Sequence, residues 1–522
     1  MFLTSQRKTR DPEKFPTVQL FLLAIVRLAE PIALTSIFPY AWPLVKKFKV
    51  GDENDASFYA GLLISAFALA ESLTGMYWGA LSDRVGRKPI LLLGCIGTML
   101  SMIMVGFSTN IWMALAGRAL GGFLNGNIGV IQTMVGELVT KPEHEPRAYS
   151  IMPFVWSIGT IIGPAIGGFF AVPADSFPNF FSQGGLFGRF PYLLPNLLCS
   201  GLLFISIISG YFLLEETHPD MQPRIALPDS TYLSEETPLI QTADAIKTPA
   251  VDLRAETYGS ITDESKWQNT HTKTRPVKIF TKRIVALIFS LGIFTYHSMT
   301  YDHLLPIFLE DARGGPISSM ALFARGINPF HSPGGLGMTV QQVGVIMSID
   351  GAIALFVQAV IFPFAAERLG IHRLFILVTL LHPISYTIVP LLVYLPQSYL
   401  SLGIYASLAI RNLLSIIAYP CLLIMIKESS PSSSVLGRIN GLAASAGAAC
   451  RTVAPPIAGY LWTLGSRMDF TGLAWYGSAL VATIGTVQCF SVKRLSTEND
   501  IENFRKENSS IAVREVDVEY SD

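Results

Sequence analysis

The chain has 522 residues, 50% of them hydrophobic and only 15% charged, with a mean hydropathy of +0.44. Soluble domains carry roughly 25% charged residues, so this composition points to a chain built for lipid. Its 38 basic and 38 acidic side chains cancel, which gives no support to a nucleic-acid partner.

A polar, basic leader (residues 1–17, with Arg7, Lys8, Arg10 and Lys14) precedes the first apolar run. That run is long enough to cross a bilayer, so it is expected to remain as a spanning helix and not to be cleaved as a signal peptide. Apolar runs of about 20 residues then recur along the chain. The first six, at 18–40, 58–78, 89–107, 111–138, 149–172 and 191–214, make an N-terminal bundle over 18–214. Six more, at 283–309, 340–366, 374–395, 399–426, 437–464 and 472–492, make a C-terminal bundle over 282–495. Between them, 215–281 is rich in Thr, Ser, Pro, Asp and Glu without periodicity and reads as a disordered cytoplasmic linker. The charged tail, 496–522, reads the same way. The fold class is all-α: a polytopic membrane protein of about twelve transmembrane helices in two six-helix bundles.

Orientation follows from Lys and Arg in the short loops. Basic clusters at 83–88, 141–147, 367–373, 427–438 and 493–494 fall on one side, with the leader and the linker, so both termini are expected in the cytoplasm. The long loops 171–190 and 310–339, rich in Gly, Pro and Phe, lie on the other side. Lys46, Lys47 and Lys49 run against this pattern, partly offset by Asp52, Glu53 and Asp55.

Charges inside the spans come next, because a charged group at the bilayer centre costs a few kcal/mol or more and usually has a role. Arg27 and Glu30 lie three apart on one face of the first span, as a static pair or as coupling groups. Glu71 lies in the second span and Arg118 in the fourth, where the arginine either satisfies helix-end carbonyls or serves transport. Glu137, at the inner end of the fourth span, reads as solvated. Asp302 and His303 lie in the seventh span, Asp350 in the eighth, Arg411 in the tenth and Arg451 in the eleventh. His303 reads as a satisfied core histidine or a ligand, and Asp350 and Arg451 are placed either near helix ends or in the membrane interior.

Two backbone-rich segments complete the candidates. The loop Gly79-Ala80-Leu81-Ser82-Asp83-Arg84-Val85-Gly86-Arg87-Lys88 joins the second and third spans at the membrane surface. Gly79 allows close approach of a neighbour, Asp83 caps a helix or pairs with Arg84 and Arg87, and Gly86 supplies a tight turn. In the fifth span Gly159, Gly163 and Gly167 recur every four residues around Pro164, a spacing that lets helices pack backbone to backbone and permits a bend. The halves also read as weak repeats. Asp83-Arg84-Val85-Gly86 matches Glu367-Arg368-Leu369-Gly370 at an offset of 284 residues, and Pro164 matches Pro456 at an offset of 292. Five cysteines (Cys95, Cys199, Cys421, Cys450, Cys489) sit in apolar stretches without a Cys-x-x-Cys, so neither a disulfide framework, a metal site nor a cofactor is expected.

The 79–88 string resembles the signature loop between helices 2 and 3 of the major facilitator superfamily. The glycines around Pro164 resemble the helix-5 motif of its antiporter branches, and Leu115-Ala116-Gly117-Arg118-Ala119-Leu120-Gly121-Gly122 resembles the helix-4 arginine motif linked there to proton coupling. Shorter strings resemble the fungal zinc-induced-facilitator-like branch, related to drug:proton antiporters: Arg27–Pro31 with Phe38–Tyr40, Leu214–His218, Tyr301-Asp302, and Gly437–Gly441 with Arg451. The linker holds only His218 and His271, unlike the histidine-rich linkers of some plant relatives, which counts against a metal ion as cargo.

The resemblance implies two six-helix bundles around a cavity, related by an axis along the membrane normal and alternating access by rocking. It implies a monomeric secondary transporter of a small organic molecule or metal complex, with protons as coupling ion, in a vacuolar or plasma membrane. A facilitator, a proton symporter and a transport-dead nutrient-sensing receptor remain open. No nucleophile–base set or nucleotide loop supports an enzyme.

Overall fold

The computed structural model describes residues 15–51, 55–139, 145–218, 281–313, 334–429 and 433–492. Most of the leader, the linker from 219 to 280 and the tail lie outside them, so the disorder expected there is not addressed.

The first span is α1 (Thr17–Ser36), continued by a 3₁₀ turn and a short α2 (Ala41–Phe48). The N-terminal half continues with α3 (Ala56–Val85), α4 (Arg87–Gly106), α5 (Ile111–Leu124), α6 (Asn127–Leu138), α7 (Glu145–Phe169) and α8 (Leu193–Leu213). The C-terminal half has α9 (Lys282–Glu310), α10 (Val340–Phe356), α11 (Phe362–Leu369), α12 (Ile371–Ile388), α13 (Gln397–Glu428), α14 (Ser433–Arg467) and α15 (Gly472–Cys489). A π-helical turn, Val357–Ile361, joins α10 to α11. Local chemistry starts several helices. Asn110 accepts from Met113 N, Thr281 accepts from Ile284 N, and Thr339 with Gln342 forms a capping box. Among the described residues, nine helical stretches have the length and hydropathy to cross a membrane. The fourth span falls short because it is cut in two, and the eleventh and twelfth are rich in Gly, Ala and Ser.

Within the N-terminal half α1 packs on α7 and α8, α4 on α5 and α8, and α3 on α5. Within the C-terminal half α9 packs on α14 and α15, and α12 on α13 and α15. Two helix pairs cross between the halves, α3 with α14 and α7 with α10. Large apolar side chains such as Phe21, Leu73, Trp112, Phe212, Leu402 and Val487 stay exposed, as suits helices that face lipid.

The apolar cores show how the halves meet. One cluster runs through both halves, from Ile37, Tyr40 and Trp42 to Tyr301, Phe308, Trp462 and Trp475. It lies at the end that carries loops 49–55 and 170–192. At the opposite, basic-loop end each half keeps its own cluster: Leu20, Trp78, Ile90 and Leu214 in one, Ile284, Phe375, Met425 and Cys489 in the other. The halves are therefore joined at one end and separate at the other.

Several local expectations need correction. Residues 79–85 are not a loop: they are the last two turns of α3, and Gly86 alone links it to α4. Gly86 takes φ +106°, a conformation that favours glycine, and Gly370 repeats the break between α11 and α12 at φ +76°. Gly79 makes no close helix contact, since a Cβ there would meet nothing within 4 Å. Residues 215–218 are not linker but pack onto the bundle. Lys46 and Lys47 end α2, where cations favour the helix C-terminus. Lys46 lies 3.6 Å over the Trp42 ring and Lys47 Nζ donates to Arg189 O (2.8 Å), so neither needs the charge balance first ascribed to Asp52, Glu53 and Asp55.

Candidate functional site: two buried ionic clusters and a basic staple

The fourth span breaks at Asn125-Gly126 between α5 and α6. The break turns two amides inward. Asn125 Nδ2 donates to Glu30 Oε1 (2.7 Å) and Asn127 Nδ2 to Glu30 Oε2 (2.8 Å). Arg27 donates to the same carboxylate in a buried ion pair, and Glu30 is 1% exposed. Three donors thus hold one buried charge, as such a charge requires. Arg118, 3% exposed on α5, donates its Nε to Leu63 O (3.3 Å) and lies 4.8 Å over the Phe67 ring. Leu63 is inside α3, so Arg118 is not satisfying a helix end, and its Nη1 has no partner among the described residues.

The C-terminal half carries a second cluster. Arg411 Nη2 donates to Asp302 Oδ1 (2.6 Å) and to Ser298 Oγ (3.1 Å). The guanidinium lies 4.5 Å over the Tyr301 ring, and its Nη1 donates to Asn412 Oδ1 (3.3 Å). Asn412 Nδ2 in turn donates to Asp350 Oδ1 (2.8 Å). Asp350 is therefore well inside the eighth span, and Arg451 is mid-way along α14, so neither sits at a helix end. His303, 1% exposed, donates Nε2 to the backbone O of Ser57 (3.3 Å) across the two halves. It is a core residue of the interface between halves. Glu71 and Arg451 are half-buried on facing helices.

At the basic-loop end, Arg87 is the hub of a staple inside the N-terminal half. It donates to Asp83, to Ser82 Oγ (2.7 Å) and, through Nε (3.1 Å) and Nη2 (3.0 Å), to Glu137 Oε1. Glu137 also accepts from Thr217 Oγ1 (2.6 Å), so it is bound and not solvated. Glu216 accepts from the backbone N of Arg87 (2.9 Å) and Lys88 (3.1 Å), an anion at the start of α4. Lys88 Nζ donates to Tyr211 O (2.7 Å), while Arg84 is exposed and Asp83 pairs with Arg87 and not with it.

The glycines of the fifth span behave as their spacing implies. A Cβ on Gly159 would lie 2.3 Å from Pro31 Cβ, on Gly163 2.0 Å from Thr35 Oγ1, and on Gly167 1.9 Å from Ser36 O. All three press α7 against α1, with Pro164 inside the helix. Gly168 turns the other way, and a Cβ on it would lie 2.5 Å from Gly344 Cα across the halves.

Comparison with known proteins now decides the family. The family model described as Major Facilitator Superfamily matches residues 23–327. A major facilitator superfamily multidrug transporter of Aspergillus fumigatus is 38% identical, over 98% of this chain and 90% of its own length. The chain belongs to the major facilitator superfamily. Zinc induced facilitator 1 of Arabidopsis thaliana is 29% identical over 87% of this chain and 85% of its own length. The crystal structure of a D-xylose-proton symporter matches at a TM-score of 0.62 and 12% identity, covering 93% of this chain and 99% of that one, a likeness of fold alone.

As a superfamily member this chain is a transporter and not an enzyme. Sequence reasoning missed Asn125, Asn127 and Asn412, which complete the two clusters, and Glu216, which caps α4. The Asn-Gly-Asn at 125–127 inside an apolar run was the available signal.

Proposed function

We propose that the chain is a proton-coupled antiporter of small organic molecules, working as a monomer by alternating access of its two halves. The observation that carries the reading is a pair of carboxylates within the spans, the buried Glu30 and the partly exposed Asp302, each held by an arginine inside one half. In the same half as Glu30, Arg118 keeps one guanidinium nitrogen without a partner among the described residues, open to an incoming group. A buried carboxylate that gains and loses its arginine or amide partners as access alternates can take up and release a proton. The multidrug transporter relative supports an organic cargo, and the basic-loop end is read as cytoplasmic, with both termini on that side of a vacuolar or plasma membrane.

The test is reconstitution into vesicles with a panel of labelled organic compounds, with and without a pH gradient. The expected result is accumulation of one class driven by the gradient and abolished by a protonophore. Accumulation to equilibrium only, unaffected by the gradient, would overturn proton coupling in favour of facilitation.

A further inference from the structure

The helices α3 and α14 face each other across the two halves and are held tightly at one end only. There a Cβ on Gly61 would lie 2.4 Å from Pro455 O, and one on Gly459 2.2 Å from Ser57 O. Toward the basic-loop end they part. A Cβ on Gly75 would meet nothing within 4 Å, and one on Gly447 only Thr295 Oγ1 of its own half, at 4.0 Å. Glu71 and Arg451 stand where the helices begin to diverge. Ten residues of α3 separate Gly61 from Glu71, and four of α14 separate Pro455 from Arg451. At a rise of about 1.5 Å per residue the two charges differ in depth by roughly 9 Å, which their long side chains span.

Neither charge has a hydrogen bond or an ion pair among the described residues, although both lie well inside spanning helices, where an uncompensated charge is costly. Glu71 interacts electrostatically with Arg451 from the opposite half, and with Arg27, Arg118 and Glu30 in its own. Arg27 is already engaged with Glu30, and Arg118, which keeps one nitrogen unpartnered among the described residues, lies in the same half as Glu71, so pairing with it would not join the halves. Arg451 is the opposite charge carried by the helix that α3 packs on.

We propose that Glu71 and Arg451 form a latch between the halves: parted here, they close into an ion pair when the halves rock together at the basic-loop end. Open, the cleft solvates both charges. Closed, water leaves and each neutralises the other, so the pair stabilises the state that faces the opposite side. The proposal rests on alternating access but not on the identity of the cargo or the coupling ion.

The experiment needs no substrate. Gly75→Cys, which has room for a side chain, reports the cleft through its rate of modification by a membrane-impermeant maleimide applied at the basic-loop side. Modification at position 75 is quantified by peptide mass spectrometry in membranes. Glu71→Gln and Arg451→Gln should each speed modification by about threefold or more, the shift expected when the closed state loses part of an ion pair. The double variant should label no faster than either single one, and the swap Glu71→Arg with Arg451→Glu should return toward the parent rate. Equal rates in all variants would overturn the latch. So would effects of the two neutral substitutions that simply add, or a well-folded swap that labels like the singles. The neutral double variant removes two intramembrane charges and so keeps the test alive if the swap does not fold. Failure of gradient-driven accumulation would leave these rates unchanged and would count against proton coupling alone.

Discussion

Arg411 shows what a single intramembrane charge demands. Its two terminal nitrogens donate to Asp302, Ser298 and Asn412 and Tyr301 covers it, so removing its carboxylate leaves a buried cation without its main partner. The cation is buried but Asp302 is 38% exposed, so the loss falls below about 3–5 kcal/mol, the cost of breaking a fully buried pair. Asp302→Asn should therefore lower thermal stability in detergent, and it should abolish gradient-driven accumulation of the panel's best compound while sparing part of its exchange at equal pH. Glu30→Gln should act alike, since the group that Arg27, Asn125 and Asn127 share loses its charge and one of its two acceptor oxygens. A static pair predicts instead that both activities fall together in step with stability. At the staple, Asp83→Asn should impair transport with membrane insertion nearly intact, measured as turnover per unit of surface protein. Glu137 and Ser82 still hold Arg87 and preserve the fold, so normal turnover would remove Asp83 from the mechanism. The titratable residues were legible in the sequence because charge inside an apolar run is conspicuous. Their amide partners were not, because Asn125 and Asn412 are unremarkable until the fold brings them to a carboxylate.

At the scale of the element, glycine spacing separates contact from open space. Gly163→Leu would drive a side chain into Thr35 and the backbone of Ile32. Overpacking of this kind costs about 1–3 kcal/mol, and it parts α7 from α1, so both thermal stability and transport should fall. Gly79→Ala should be silent in both assays, because nothing lies within 4 Å of the added carbon. Side-by-side melting curves and uptake for the two variants check the contrast. The sequence carried the glycines of α7 correctly because their four-residue period matches one helix face. It misplaced Gly79 because small size permits contact without requiring it. The 79–88 segment read as a loop for a similar reason: its charges marked the membrane surface, but Asp83, Arg84 and Arg87 sit comfortably in helices, and only Gly86 breaks the chain.

For the whole molecule, the decisive asymmetry is an apolar core continuous across the halves at one end and divided at the other. Trp462, 1% exposed beside Phe308, belongs to the shared cluster, whereas the Arg467–Asp55 pair at the same end is partly solvated. Trp462→Ala should cost about 3–5 kcal/mol, and Arg467→Ala at most about 1 kcal/mol. Thermal unfolding of both variants in detergent checks the ranking, and comparable losses would mean that the ion pair, not the core, holds this end shut. The two-bundle plan was legible from span counting and from the repeat, because length and hydropathy are one-dimensional. Which end is closed was not, since that depends on residues such as Tyr40 and Trp475, far apart in the chain, meeting in one core.

The π-helical turn Val357–Ile361 sits where Gln358 Oε1 accepts from Ser157 Oγ across the halves (2.9 Å). Such a turn stores one residue more than the α-helix around it needs, and it behaves like a dislocation in a crystal. It can glide along the helix by exchanging one hydrogen bond for the next, turning each residue it passes by about 100°. The eighth span thus owns a means of rotating Gln358 away from Ser157 while α10 and α11 stay folded, so amide exchange at 357–361 should outpace that of both flanking helices.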